Sequence, residues 1–174
     1  MSFGKMLLAA TAAFGFATAA ANAEDWNGFY AGVLGGGSFG AIEGECCFGV
    51  LGASKVFGYN WDNGDTVMGI DEMVTFTNLD GDAKISWQKS FRFGWEVTDN
   101  TLLYGGAGAG VSFIPSESYS TGYGLVATGL EVAMTEQLAI RAHAQMSFPF
   151  DPEWWDAGLS PVVSLGTGFV WSFN

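Results

Sequence analysis

Basic charge is scarce in this chain. Six Lys and Arg and one His stand against 18 Asp and Glu in 174 residues, a formal net charge of −12. Binding a phosphate backbone needs clustered cations to replace its counterions, so this balance argues against nucleic acid as a partner. Cysteine is nearly absent too. Cys46 and Cys47 are adjacent, and neighbours in sequence bridge each other only with strain. They make no disulfide framework, and free thiols or an intermolecular bridge are expected. No metal-ligand spacing accompanies them, and no cofactor, metal or catalytic residue is predicted. Long apolar runs are confined to the first residues. No 20-to-50-residue repeat and no helix of useful length follows.

The opening segment reads as an address. Lys5 gives a positive start, Met6 to Ala21 an apolar run of small residues, and Ala21-Asn22-Ala23 a small-x-small cleavage site. Residues 1–23 are therefore expected to be a secretory signal peptide and 24–174 a single folded domain.

The domain is rich in other things: 49% of the chain is hydrophobic, 16% aromatic and only 14% charged, with 26 glycines. The apolar residues alternate. Between Ala83 and Val97, Ile85, Trp87, Phe91, Phe93 and Trp95 share one parity, and Lys84, Ser86, Gln88, Ser90, Arg92 and Glu96 the other. Leu138 to Phe148 repeats the pattern, with Ile140 and Met146 against Arg141, His143 and Gln145. Such a period of two over a long stretch is a strand with one greasy and one wet face.

Eight stretches of this kind are separated by turn signals. They run approximately over Trp26 to Phe39, Cys46 to Asp62, Asp65 to Leu79, Ala83 to Val97, Thr101 to Phe113, Gly122 to Met134, Leu138 to Phe148 and Val162 to Phe173. Asn63-Gly64 and Asp80-Gly81 are residue pairs favoured in two-residue hairpin turns. Ile114 to Thr121 and Pro149 to Pro161 are expected loops.

The fold class predicted is all-β: an eight-stranded antiparallel up-and-down transmembrane barrel. Alternation alone fits equally a secreted soluble barrel with an apolar lumen. Three features favour lipid outside: the export signal, the ending Gly168-Phe169-Val170-Trp171-Ser172-Phe173, and two aromatic groups at opposite strand ends. Tyr59, Trp61, Trp95 and Phe173 form one group; Phe39, Phe48, Phe113 and Phe148 form the other. An even strand count also closes without an edge, as lipid requires.

Several short motifs carry a resemblance. Trp26-Asn27-Gly28-Phe29-Tyr30-Ala31-Gly32, Gly58-Tyr59-Asn60-Trp61, Arg92-Phe93-Gly94-Trp95 and Leu102-Leu103-Tyr104 follow in that order across the domain. In this the chain resembles the small eight-stranded outer-membrane barrels of Gram-negative bacteria, the OmpA/OmpX-like group and its single-domain porin-like surface antigens. The resemblance implies an outer-membrane location, contact with outer-membrane lipid and lipopolysaccharide, and an insertion signal at Gly168, Trp171 and Phe173 read by the barrel-insertion machinery. The chain departs from the pattern at Asn174, which follows the final aromatic, and at the loop reduced to Asp80-Gly81.

The inward parity collects Asp71, Lys84, Arg92, Glu96, Glu131, Arg141 and His143. With Thr135 to Gln137 as a three-residue turn, Glu131 falls opposite Arg141. Buried charges need partners, and eight strands leave a lumen that side chains fill, so an ion-paired plug is expected; a narrow conducting channel is the competing reading. A lipid-modifying enzyme would need His143 to act with a serine, and Ser147 lies two residue pairs away on the same face, beyond a direct hydrogen bond.

Three charges break the greasy face. Two-residue turns at Asn63-Gly64 and Asp80-Gly81 would put Lys55, Glu72 and Lys89 in one row across three strands. A cation facing lipid at the midplane costs about 2–4 kcal/mol, and opposite charges side by side recover part of it. Two readings stand side by side: a bulge or a one-residue slip that turns one charge inward, and a contact patch for a membrane protein or a second copy. The expected outer loops hold Glu43, Glu45, Asp80, Asp82, Glu117, Asp151, Glu153 and Asp156 without one Lys or Arg. That is a solvated acidic rim, or a surface bridged to lipopolysaccharide phosphates by divalent cations, with no defined calcium loop.

Overall fold

The computed structural model describes residues 26–42, 45–79, 82–115, 119–150 and 161–173. The leader, Asp80-Gly81 and most of the long Pro149 to Pro161 loop lie outside the described residues, as do the side chains of Cys46 and Cys47. Eight strands follow in chain order: β1 (Gly28–Ile42), β2 (Glu45–Asp62), β3 (Thr66–Leu79), β4 (Asp82–Thr98), β5 (Thr101–Ile114), β6 (Tyr119–Ala133), β7 (Leu138–Pro149) and β8 (Val162–Ser172). Each pairs antiparallel with the next, and β8 returns to β1, from Tyr30 opposite Ser172 to Phe39 opposite Val163. Closure leaves no backbone edge.

The faces fall as alternation demands. Phe91 is 53% exposed and Phe29 66%, while Arg92 is 1% and Arg141 0% exposed. Large apolar side chains cover the outside and charges fill the inside, the reverse of a soluble protein. Only a hydrocarbon surround makes that arrangement favourable, so the barrel is transmembrane. The expected aromatic groups hold in part: Tyr59, Phe39 and Phe148 are half-buried, and the side chain of Phe48 lies outside the described residues. Trp61, Trp95, Trp171 and Phe173 are exposed at the inner end, which carries both ends of the barrel, and Phe113 at the outer end.

Three hairpins differ from expectation. Between β1 and β2 pairing continues to Ile42 opposite Glu45, past the expected strand ends at Phe39 and Cys46. Between β5 and β6 pairing continues to Ile114 opposite Tyr119, so β6 starts before Gly122 and the predicted loop shortens. Between β2 and β3 the turn slides by one residue. Gly64, at φ 87°, takes the first central position, and the Asn63 N–H donates across the turn to the Thr66 carbonyl at 2.9 Å. The Asp62 carboxylate fixes this geometry by accepting the Gly64 N–H at 2.7 Å. Asp62 therefore pairs with Val67. A slide of one in the turn moves every partner by two, which preserves the faces but changes the neighbours.

Candidate functional site in the barrel lumen

The interior is organised around two arginines. Arg92 on β4 and Arg141 on β7 project into the lumen because their neighbours Phe91, Phe93 and Ile140 take the lipid side. Between them lie two carboxylates, Asp71 on β3 and Glu131 on β6. Glu131 stands 2.6 Å from Arg92 and 2.9 Å from Arg141. Asp71 stands 3.3 Å from Arg141 and 3.7 Å from Arg92. All four are buried. Two cations and two anions alternate, so every charge taken out of water meets two of opposite sign.

Tyrosine rings cap the cluster on both sides. Arg92 lies 4.4 Å from the Tyr104 ring centre and 5.5 Å from that of Tyr30; Arg141 lies 5.0 Å from Tyr30 and 5.5 Å from Tyr104. Guanidinium planes suit such faces, particularly where water is excluded. The Tyr30 hydroxyl donates to Asp71, and that of Tyr104 pairs with His143 Nδ1 at 2.9 Å. Neither tyrosine is among the lumen residues expected from the sequence. Their signal was parity, since Tyr30 alternates with Phe29 and Tyr104 with Leu103.

A second, uncharged layer lies further outward. Gln88 and Gln145 exchange amide bonds of 2.6 and 3.0 Å across the lumen. The Tyr123 hydroxyl donates to Gln88 at 3.1 Å. Gln145 donates to Ser147 at 2.8 Å and stands 3.5 Å from His143 Nε2. Gln145 thus sits between the histidine and the serine. Above this floor, hydroxyl pairs Ser38–Ser164 and Ser54–Thr75 line a small vestibule together with Gly35, Gly166 and Thr77.

Among the predicted lumen charges, Asp71, Arg92, Glu131 and Arg141 come together, and His143 joins through Tyr104. Lys84 and Glu96 face inward but do not join. Lys84 lies opposite Thr77 near the outer mouth, and Glu96 lies at the inner mouth beside Asp62, Asp65 and Asp99. Strand tilt and position, not parity, separate them from the cluster. On the lipid side Glu72 and Lys89 are directly opposite and 3.3 Å apart. Lys55 does not share their row: the slid turn sets it opposite Val74, and Glu72 opposite Phe57. Of the proposed insertion signal, Gly168 faces the lumen against the Val33 carbonyl, and Trp171 and Phe173 are exposed.

No protein-family model matches the chain, and no curated protein sequence does. Its barrel is similar to that of Ail, the attachment invasion locus protein of Yersinia pestis, with a TM-score of 0.61 and 17% identity over 84% of this chain and 99% of that one. It is similar to Neisserial surface protein A, at 0.56 and 14% over 83% and 97%. The N-terminal barrel domain of Pseudomonas aeruginosa OprF gives 0.52 and 13% over 84% and 99%. At such identities the likeness is one of fold: this is the fold of the small eight-stranded outer-membrane barrels.

Proposed function

We propose that this chain is an outer-membrane protein of Gram-negative bacteria that does structural or interaction work through its surface, with a lumen closed to ions. The observation that carries this reading is the buried, ion-paired cluster inside the barrel. Arg92, Arg141, Asp71 and Glu131 lie buried between Tyr30 and Tyr104, each charge paired with two of opposite sign. A water-filled channel would instead leave such groups solvated. The export signal read from residues 1–23, and the likeness to barrels that include the outer membrane protein Ail, support the location.

The loops set what kind of partner fits. All five Lys and Arg after the leader lie on strands, namely Lys55, Lys84, Lys89, Arg92 and Arg141, and none lies in a loop at the outer end. Ail has been solved with the heparin analogue sucrose octasulfate; an acidic rim without cations is a poor seat for such a polyanion. A basic partner, or lipopolysaccharide phosphate bridged by divalent cations, fits its charge. Two measurements test the reading. Fractionation with heat-modifiable gel mobility should place a folded barrel in the outer membrane, and planar bilayers should show no stable conductance. A steady channel current would overturn the plugged lumen.

A further inference from the structure

The lipid-facing side of β2 to β4 carries charges, which are costly against lipid. Glu72 is held in place twice, by Lys89 Nζ at 3.3 Å and by the Trp87 indole N–H, which donates at 2.8 Å. Lys89 also lies 5.5 Å from the Trp87 ring centre. Lys55 is exposed on the same face, and among the described residues it forms no ion pair. Val33 opposite it on β1, Phe57 two residues on, and Phe76 diagonally across on β3, all exposed, surround it.

Strand tilt brings these charges to one height. The row of paired residues that starts at Val170, near the inner end of β8, runs through Gly32, Val56, Met73 and Gln88 and ends at Pro149, at the outer end of β7. Rows therefore climb outward from β2 to β3 to β4. With strands about 4.8 Å apart and tilted about 40°, each step climbs about 3 Å, and two residues down a strand descend about 5 Å. Glu72 is one step up from Lys55 and two residues down, and Lys89 one step up from Glu72. All three lie within about 2 Å of the height of Lys55, with Lys55 and Glu72 about 8 Å apart sideways.

We propose that this face seats a second copy of the chain, related by a two-fold axis along the membrane normal that passes between Lys55 and Glu72. Such an axis sets Lys55 of each protomer against Glu72 of the other, because both residues lie at one depth. The lone cation gains a carboxylate, and each carboxylate, already fixed by Trp87 and Lys89, gains a second cation. The pattern is complementary to itself, which a random charged partner would not require.

A photo-crosslinking residue placed at position 57, beside Glu72, tests this in native membranes at native expression, with position 126 on β6 as the control face. The expected product is an adduct of twice the monomer mass from position 57 and none from position 126. Lys55→Glu should lower its yield at least tenfold, and the mirror set Lys55→Glu, Glu72→Lys, Lys89→Glu should restore it. Lys55→Met repeats the test should Lys55→Glu fail to fold. Monomer alone at position 57, an adduct of another mass, equal adducts from both positions, or a yield indifferent to Lys55 each overturns the proposal. The inference rests on the lipid-embedded reading of this face, and heat-modifiable mobility tests that reading separately.

Discussion

The phenol end of Tyr104 covers Gly129, its partner on the neighbouring strand. A methyl group on the glycine would collide with the phenol. The same relation recurs where Tyr30 covers Gly58 and Tyr123 covers Gly110. An aromatic ring over a cross-strand glycine shields its backbone and pins the register. Here it also aims two rings at the arginines. Gly129→Ala should force Tyr104 off both Arg92 and His143 and cost about 1–3 kcal/mol, as overpacking does. The urea midpoint of the barrel refolded in lipid vesicles checks this, and an unchanged midpoint would show that the ring moves freely.

Neutralising one carboxylate of the cluster leaves a buried guanidinium short of a partner. Glu131→Gln should destabilise the barrel by about 3–5 kcal/mol. Glu96→Gln removes one charge from a crowd of carboxylates at the inner mouth, where it should be neutral or slightly stabilising. The two variants measured side by side separate paired from repelling charge.

Tyr30→Phe removes the hydroxyl that donates to Asp71 but keeps the ring beneath the arginines. A hydrogen bond to a charged group contributes about 1.5–3 kcal/mol. The loss should fall in that range and vanish in an Asp71→Asn background, which a double-mutant cycle reads directly.

Sidedness has its own test. Phe91→Arg places a cation on the lipid face and should cost about 2–4 kcal/mol near mid-bilayer. Assembly into vesicles should slow and heat-modifiable mobility weaken. Folding as efficient as wild type would contradict lipid contact at that position.

His143 and Ser147 are separated by Gln145 rather than joined. Lipid A from cells carrying His143→Gln or Ser147→Ala should have the mass profile of wild type. A change in its acyl chains would assign the lumen a catalytic task.

Much of this fold is legible in the order of residues alone. Alternation places Arg92 and Arg141 inside and Phe91 outside, because a strand turns successive side chains to opposite faces. The short turn at Thr135 to Gln137 puts Glu131 opposite Arg141, and the ladder has that pairing. Local spacing is enough wherever the relation lies within one hairpin whose turn is read correctly. It fails at Gly64, where the Asp62 carboxylate holds the turn one residue along and carries Lys55 away from Glu72's row.

The amino-acid sequence by itself decided the strands, their faces and most of their neighbours, since these follow from a period of two and from turn chemistry. Closure decided the rest. Asp71 on β3 meets Arg141 on β7 across the lumen, and both arginines lie between Tyr30 and Tyr104, only because eight strands tilt and close on themselves. Stagger around the whole circumference sets which inward residues reach one height, and no single hairpin encodes it.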